Sequence, residues 1–122
     1  MSAFNKKELA YITSGERRLG RIATVGADGT PHVTPTGWAY NAEQDTIDAG
    51  GRDVRPTKKY RDVKSSGRAA IVIDDVLPPW KPRAVEVRGR AEIIEGPQVK
   101  IRIHPDRVVS WGLEEEQAKT VA

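Results

Sequence analysis

The stretch R-A-V-E-V-R-G-R-A-E-I-I-E at residues 83–95 decides the fold class of this chain. Small and apolar residues alternate in it with charged residues, and a period of two is typical of a β-strand with one buried face and one wet face. The sequence therefore predicts a half-buried strand from Arg83 to Glu95. The inward set is Val85, Val87, Gly89, Ala91 and Ile93, and the outward set is Glu86, Arg88, Arg90 and Glu92.

The segments before this strand predict a helix and another buried strand. Pro56 to Ser65 is polar and helical in character, because Pro56 suits a first helical turn and Gly67 suits the position just past a helix end. Arg68 to Asp74 has the apolar centre A-A-I-V-I, which indicates a strand. The stiff loop L-P-P-W-K-P at residues 77–82 then leads into Arg83.

The segments after this strand predict two shorter ones. Gly96-Pro97 indicates a turn. The alternating run at residues 99–104 indicates a strand, with Val99, Ile101 and Ile103 on its buried face. His104-Pro105-Asp106 predicts a break before a last short strand, Arg107 to Trp111. We expect the tail, Glu114 to Ala122, to be a short helix or disordered.

The N-terminal half predicts one helix and three strands. Asn5 followed by Glu8 is a capping pattern for a helix start. Pro35 indicates an edge strand or a bulge, because proline has no N–H to donate to a neighbouring strand. The predicted elements are a helix from Asn5 to near Gly15 and strands Leu19–Val25, His32–Tyr40 and Thr46–Ala49, with turns at residues 26–29 and 41–45.

These elements predict one architecture. Six or seven short strands, joined mostly by hairpins, form a mainly antiparallel sheet, and two or three short helices accompany it. The natural closure of such a sheet is a small barrel. A chain of 122 residues fits a single domain, residues 1–122.

The composition predicts a globular, cytoplasmic protein that binds neither membranes nor nucleic acid. No apolar run approaches the ~20 residues of a spanning helix, and the N-terminal segment M-S-A-F-N-K-K-E-L-A-Y-I lacks the apolar core of a signal peptide. The absence of cysteine excludes disulfides and fits a reducing compartment. Lys and Arg number 20 against 17 Asp and Glu, a smaller and less clustered basic excess than nucleic-acid binders usually have.

Neither a metal site nor a nucleophile stands out. His32 and His104 are far apart in sequence, and a structural zinc site needs more nitrogen or sulfur ligands than the chain offers. Asp74-Asp75 offers oxygen ligands, but adjacent acids at a strand end more often form a solvated turn. We therefore predict no metal and assign no catalytic residue.

A basic cluster at the start of the predicted helix is a candidate anion-binding site. Arg55, Thr57, Lys58 and Lys59 lie within the segment 52–61, where helical N–H groups already favour an anion. Cations at a helix N-terminus oppose the helix dipole, a conflict that a binding site would explain. The alternative interpretation is an exposed basic helix without a ligand.

Taken together, these segments resemble the pyridoxamine 5′-phosphate oxidase-like split β-barrel family, and within it the deazaflavin (F420)-dependent branch. The likeness spans nearly the whole chain in order, and no single motif carries it alone. The similar segments are L-G-R-I-A-T-V-G-A-D-G-T-P-H-V-T-P (19–35), R-P-T-K-K-Y-R-D-V (55–63), R-A-A-I-V-I-D-D (68–75), V-E-V-R-G-R-A-E (85–92) and I-H-P-D-R-V-V-S-W-G (103–112).

The resemblance implies an FMN-binding type of split barrel, a homodimer with cofactor sites between subunits, and an F420- or FMN-dependent oxidoreductase that acts on a small conjugated substrate. It implies that Trp111 reaches the cofactor from the partner subunit. The C-terminal R-L-H-x-R element of the true oxidases is missing, which argues against vitamin B6 oxidation. The implied cofactor residues are Arg21, Pro35, Thr36, Arg55, Thr57, Lys58, Lys59 and Trp111.

Three other functions remain open at this point. The phosphate site is shared between the two cofactors, so an FMN-binding protein of the same fold is the nearest alternative. A cofactor carrier without turnover is compatible with the same residues. A small basic barrel that binds single-stranded nucleic acid is the third, although its basic residues would be expected along a strand face rather than before one helix.

Overall fold

The computed structural model describes residues 1–51 and 53–113, and within them it contains two helices and seven strands. The predicted tail from Glu114 to Ala122 lies outside the described residues. The helices are α1 (Lys6–Ile12) and α2 (Lys58–Ser66), and the strands are β1 (Gly20–Val25), β2 (Pro31–Thr36), β3 (Trp38–Asn41), β4 (Thr46–Ala49), β5 (Arg68–Leu77), β6 (Lys81–Ile94) and β7 (Lys100–Trp111).

All seven strands belong to one antiparallel sheet in the order β2-β1-β5-β6-β7-β4-β3. The strands β2 and β3 are consecutive in sequence and yet form opposite edges, so the sheet curls into a half-barrel. The predicted mainly β, antiparallel fold is confirmed. One strand from His32 to Tyr40 was predicted there, and this is wrong, because Gly37 separates two strands.

Gly37 joins the two edges of the curled sheet. Its carbonyl accepts a hydrogen bond from the Gly50 N–H at 2.9 Å. A Cβ at position 37 would lie only 3.1 Å from the Gly50 carbonyl oxygen, so a side chain would crowd this contact. The absence of that side chain lets the chain pass from one edge of the sheet to the other.

The predicted break at His104-Pro105-Asp106 is also wrong, because β7 runs through it without interruption. The ladder between β6 and β7 shifts register between Arg88 and Gly89, and Asp106 is the extra residue of a β-bulge. Gly89 makes the bulge possible, since a Cβ there would lie 1.8 Å from the His104 carbonyl oxygen.

The core lies on the concave face of this sheet. Strand β6 contributes Val85 and Val87, which are fully buried, and Ala91, which is nearly so, as the alternation predicts. Apolar residues from other strands complete the core, including Ile22, Ile47, Ile71, Ile73, Ile101 and Ile103.

Each helix begins at a capping side chain, and α2 starts two residues after Pro56, where the sequence predicted its first turn. Asn5 and Glu8 form a capping box at α1, which ends at Ile12, three residues before the predicted limit. Thr57 caps α2, and Gly67 follows its last residue in the left-handed conformation with φ 69°. Val63, which is 2% exposed, packs α2 onto the core, so the N-terminus of α2 lies beside edge strand β2.

No helix in the described part of the chain is long and apolar enough to cross a membrane.

Candidate cofactor site

A groove separates the edge strand β2 from the N-terminus of α2. The register of β2 against β1 places His32 opposite Thr24, Thr34 opposite Ile22, and Thr36 opposite Gly20. Because Thr24, Ile22 and Gly20 are buried, these three β2 residues face inward, toward the groove. Val33 and Pro35 alternate with them on the outer face, and both also line part of the groove.

The β2–α2 groove has a wide part and a narrow part that share Thr57 and Lys59. The wide part has a volume of about 450 Å³ and the narrow part about 130 Å³. The wide part is lined by Leu19, Pro35, Thr36, Gly37, Gly50, Gly51, Asp53, Val54, Thr57 and Lys59, and the narrow part by Ile22, Thr24, His32, Val33, Thr34, Thr57, Lys58 and Lys59.

The start of α2 provides donors to this groove. The Thr57 hydroxyl donates to the Val54 carbonyl and accepts from the Tyr60 N–H, so its proton is already engaged. The backbone N–H groups of Lys58 and Lys59 have no hydrogen-bond partner among the described residues, as the first turn of a helix requires. Thr57 therefore serves the site as a helix cap, and the two N–H groups that follow it are the donors.

The two lysines differ in their surroundings. Lys58 Nζ lies 3.9 Å from Asp62 Oδ1, one helical turn further along α2. Lys59 lines both parts of the groove and has no ion pair within the described part of the chain. Of the two charges, that of Lys59 is the less compensated.

A buried carboxylate, that of Asp62, contacts two residues that line the narrow part. Asp62, 2% exposed, accepts hydrogen bonds from the Thr24 hydroxyl and from His32 Nδ1, each at 2.8 Å. Burial opposes its ionisation, but these hydrogen bonds and the charge of Lys58 hold the pKa of the Asp62 carboxyl below its usual range. Sequence analysis missed both Asp62 and His32. The available signal was an acid on the buried face of a basic helix.

Three of the predicted residues lie outside the groove. Arg55 is exposed and forms a bidentate ion pair with Asp53. Arg21 is on the outer face of the sheet, where it pairs with Asp74. Trp111 lies at the end of β7 opposite Ala84, and Trp111 is 47% exposed. The structure thus brings together Pro35, Thr36, Thr57, Lys58 and Lys59, and leaves Arg21, Arg55 and Trp111 elsewhere on the same chain.

A second groove, the side groove, adjoins the wide part and shares Leu19 and Gly37 with it. Its volume is about 600 Å³. The Trp38 indole N–H donates to the Arg18 carbonyl at 2.7 Å, which fixes the ring in the wall. The remaining lining residues are Ile12, Thr13, Gly15, Glu16, Arg17, Arg18, Ala39 and Tyr40.

Metal ligands are not assembled in the part of the chain that the structure describes: no group of three or more His, Cys, Asp or Glu residues there is placed to hold an ion. Asp74 and Asp75 lie next to arginines instead, Asp74 beside Arg21 and Asp75 beside Arg83.

Comparison with known proteins identifies the relatives of this chain. The sequence profile of the pyridoxamine 5′-phosphate oxidase family matches residues 6–119. A 5a,11a-dehydrotetracycline/5a,11a-dehydrooxytetracycline reductase from Streptomyces rimosus is 38% identical, and the match covers 91% of this chain and 84% of the reductase.

Solved structures share the fold at lower sequence identity. A conserved hypothetical protein from Mycobacterium tuberculosis superposes with a TM-score of 0.74 at 21% identity, covering 93% of this chain and 88% of that one. An FAD-binding protein from Mesorhizobium loti has a TM-score of 0.68 at 21% identity, with 88% and 92% covered. A protein described as an F420 reductase has a TM-score of 0.59 at 22% identity, with 75% and 89% covered. These likenesses confirm the predicted split-barrel fold.

Proposed function

Because the chain belongs to the pyridoxamine 5′-phosphate oxidase family, we propose that it is an oxidoreductase that holds a phosphorylated flavin-type cofactor in the β2–α2 groove. The observation that carries this proposal is the arrangement of the groove: a cavity of about 450 Å³ ends at the N-terminus of a helix that carries two lysines. In such a groove the cavity can hold a ring system, and the helix N-terminus can hold a phosphate.

The phosphate would occupy the narrow part. The N–H groups of Lys58 and Lys59, the positive end of α2 and the Lys59 ammonium favour an anion there. The ring would lie in the wide part, between Thr36 and Gly37 on one side and Val54 on the other. We favour F420 as the cofactor, as the resemblance implies. FMN is the alternative, since in both molecules a ribityl chain joins the phosphate to a tricyclic ring.

The bound cofactor would supply the hydride, and the chain would position the reactants. The side groove is the proposed substrate site, because it adjoins the wide part at Leu19 and Gly37. Its Tyr40 hydroxyl donates to Asp45 at 2.6 Å, so this proton is already engaged. The proton that completes the reduction therefore comes from solvent in this proposal.

The named reductase from Streptomyces rimosus supports a reductive direction and a conjugated, polycyclic substrate. The side groove has the volume for such a molecule, and a fixed indole and the cationic Arg17 line it. We infer a planar conjugated carbonyl compound as the substrate class.

We also propose a homodimer that completes the site, as the resemblance implies. The outer face of the sheet carries Val33 and Trp111, which are 67% and 47% exposed, and neither is covered within the described chain. Arg21 lies on this same face, opposite Pro35. A second copy packed there would bring Trp111 of the partner subunit and Arg21 to the rim of the groove.

Absorbance titration of the protein with F420 and, separately, with FMN tests the proposal. We expect a saturable spectral shift with a micromolar or lower dissociation constant for F420, and weaker binding of FMN. Turnover of a conjugated enone by the F420-loaded, reduced protein separates an enzyme from a cofactor carrier. Absence of binding for both cofactors would contradict the proposal.

A further inference from the structure

His32 and Asp62 form a pair that the proposed function does not use. Asp62 is almost fully buried and lies on α2, and His32 lies on the inward face of β2. Their hydrogen bond, from His32 Nδ1 to Asp62 Oδ2 at 2.8 Å, joins the two walls of the groove. The His32 side chain is 29% exposed and lines the narrow part together with Lys58 and Lys59.

The chemistry of this pair determines which ring nitrogen carries a proton. The Asp62 carboxylate, whose pKa is lowered, can only accept a hydrogen bond, so Nδ1 must donate. In the neutral ring Nε2 then holds a lone pair. Nε2 has no hydrogen-bond partner among residues 1–51 and 53–113. An anion in the narrow part would meet this lone pair unless the ring took up a second proton.

Building on the proposed function, we propose that His32 is a third phosphate-binding residue, which Asp62 orients, and that phosphate binding is coupled to proton uptake by His32. The cationic ring donates from Nε2 to a phosphate oxygen while Nδ1 continues to donate to Asp62. The proton comes from solvent, and no covalent bond changes.

The charges around the ring favour this uptake once the anion is present. Asp62 contacts Nδ1 from α2, and Asp28 lies in the turn before β2. His32 Cε1 and Asp28 Oδ1 both border Gly26, where a Cβ would lie 3.2 Å from the first and 3.3 Å from the second. Lys58 and Lys59 line the same narrow part as His32, and their charges oppose a third cation there when no anion is bound. A bound phosphate offsets that repulsion, so its binding and protonation of His32 reinforce each other.

The test compares FMN with riboflavin, two ligands that differ only by the phosphate. The variant is His32→Asn, whose amide N–H can still reach Asp62 from near the Nδ1 position but places nothing at Nε2. The matched control is His104→Asn, since His104 also pairs with a carboxylate, that of Glu92, away from the groove. Melting curves on all samples verify folding.

We expect His32→Asn to weaken binding of the phosphorylated ligand by about tenfold, the size of one charge-assisted hydrogen bond, and to leave the phosphate-free ligand unchanged. The ratio of wild-type to His32→Asn affinity should fall as pH rises, because the wild type must be protonated to gain the contact. Equal losses for both ligands, no loss, or a pH-independent ratio would overturn the proposal.

A second measurement separates this proposal from the proposed function. If neither FMN nor F420 binds the wild type, the proposed function fails, and inorganic phosphate then serves as the probe. We expect phosphate to shift the NMR signal of the His32 Cε1 proton toward the chemical shift of a protonated imidazole ring. The corresponding signal of His104 should stay unchanged. An unmoved His32 signal, or equal movement of both signals, would show that His32 is only a structural partner of Asp62.

Discussion

Lys58 Nζ lies 3.9 Å from Asp62 Oδ1, whereas the neighbouring Lys59 has no acidic partner in the described chain. The two adjacent lysines are therefore unequal, although the sequence presents them as equivalent. A side chain that already faces a carboxylate contributes less to an incoming phosphate, because part of its field is compensated.

This inequality gives the first prediction. Lys59→Ala should weaken binding of the phosphorylated cofactor by about ten- to a hundredfold, since a charge-assisted hydrogen bond contributes about 1.5–3 kcal/mol. Lys58→Ala should weaken it by less than about tenfold. Fluorescence titration of both variants measures these changes.

Arg68→Ala is the control, because Arg68 is an exposed cation that pairs with Asp106 on β7. It should bind the cofactor like the wild type. Equal affinities for all three variants and the wild type would show that α2 is an exposed basic helix without a phosphate site.

A second prediction concerns Asp75, which joins α1 to the sheet. It accepts two hydrogen bonds from Arg83 and one from the Tyr11 hydroxyl. The Arg83 hydrogen bonds foremost, with Tyr11 and the charge of Arg18, lower the pKa of Asp75 to about 2, although burial acts in the opposite sense. A lowered pKa stabilises the fold above the ordinary value near 4, and this stability is lost as pH falls toward 2.

Asp75→Asn should therefore be less stable at pH 7, by about 1–3 kcal/mol, because the buried guanidinium of Arg83 loses a charged partner. It should also lose less further stability than the wild type between pH 4 and pH 2. Urea unfolding at several pH values measures both effects. Parallel pH profiles for the two proteins would contradict the assigned role of Asp75.

A third prediction concerns the bulge. Gly89→Ala should destabilise the fold by at least about 2 kcal/mol, because the new Cβ would meet backbone, the His104 carbonyl oxygen, at 1.8 Å. Gly51→Ala is the control, since apart from its chain neighbours no described residue would lie within 4 Å of a Cβ there. It should change stability by less than about 0.5 kcal/mol. Thermal melting decides; similar melting temperatures for both variants would exclude the bulge as described.

A fourth prediction concerns assembly. Light scattering should show a dimer at micromolar concentration, and Val33→Glu should shift it toward monomer while the melting curve remains cooperative, because Val33 is exposed on the outer face. A wild-type protein that stays monomeric would remove both the dimer and the role of Trp111 at the partner's groove.

The sequence predicted the elements better than their connections. Strict alternation around Val85 and Val87 predicted the central strand, and the capping pattern of Asn5 and Glu8 predicted the start of α1. The start of α2 was predicted at Pro56, but the structure places the cap at Thr57. The splitting of β2 from β3 at Gly37 depends on Gly50, thirteen positions later, and local patterns do not carry such contacts. The same is true of the bulge, where Gly89 matters only because His104 approaches it.

In the candidate site too, local sequence predicted some residues, whereas others depend on contacts between distant residues. Local chemistry marked Thr57, Lys58 and Lys59, because a helix start and a cluster of cations are visible in sequence. Asp62 and His32 were missed, since their meaning lies in a hydrogen bond between residues thirty positions apart. Arg21 and Trp111 both lie on the outer face of the sheet, and in the proposed homodimer they would reach the rim of a groove.

The central claim is that a phosphorylated flavin-type cofactor binds at the N-terminus of α2, between this helix and β2. Two-dimensional ¹H–¹⁵N NMR of the labelled protein, titrated with F420 or FMN, tests it most directly. We predict that the largest shifts fall on the N–H groups of Lys58 and Lys59, followed by Thr36 and Gly37. Saturable binding that leaves these four signals unmoved would contradict the account.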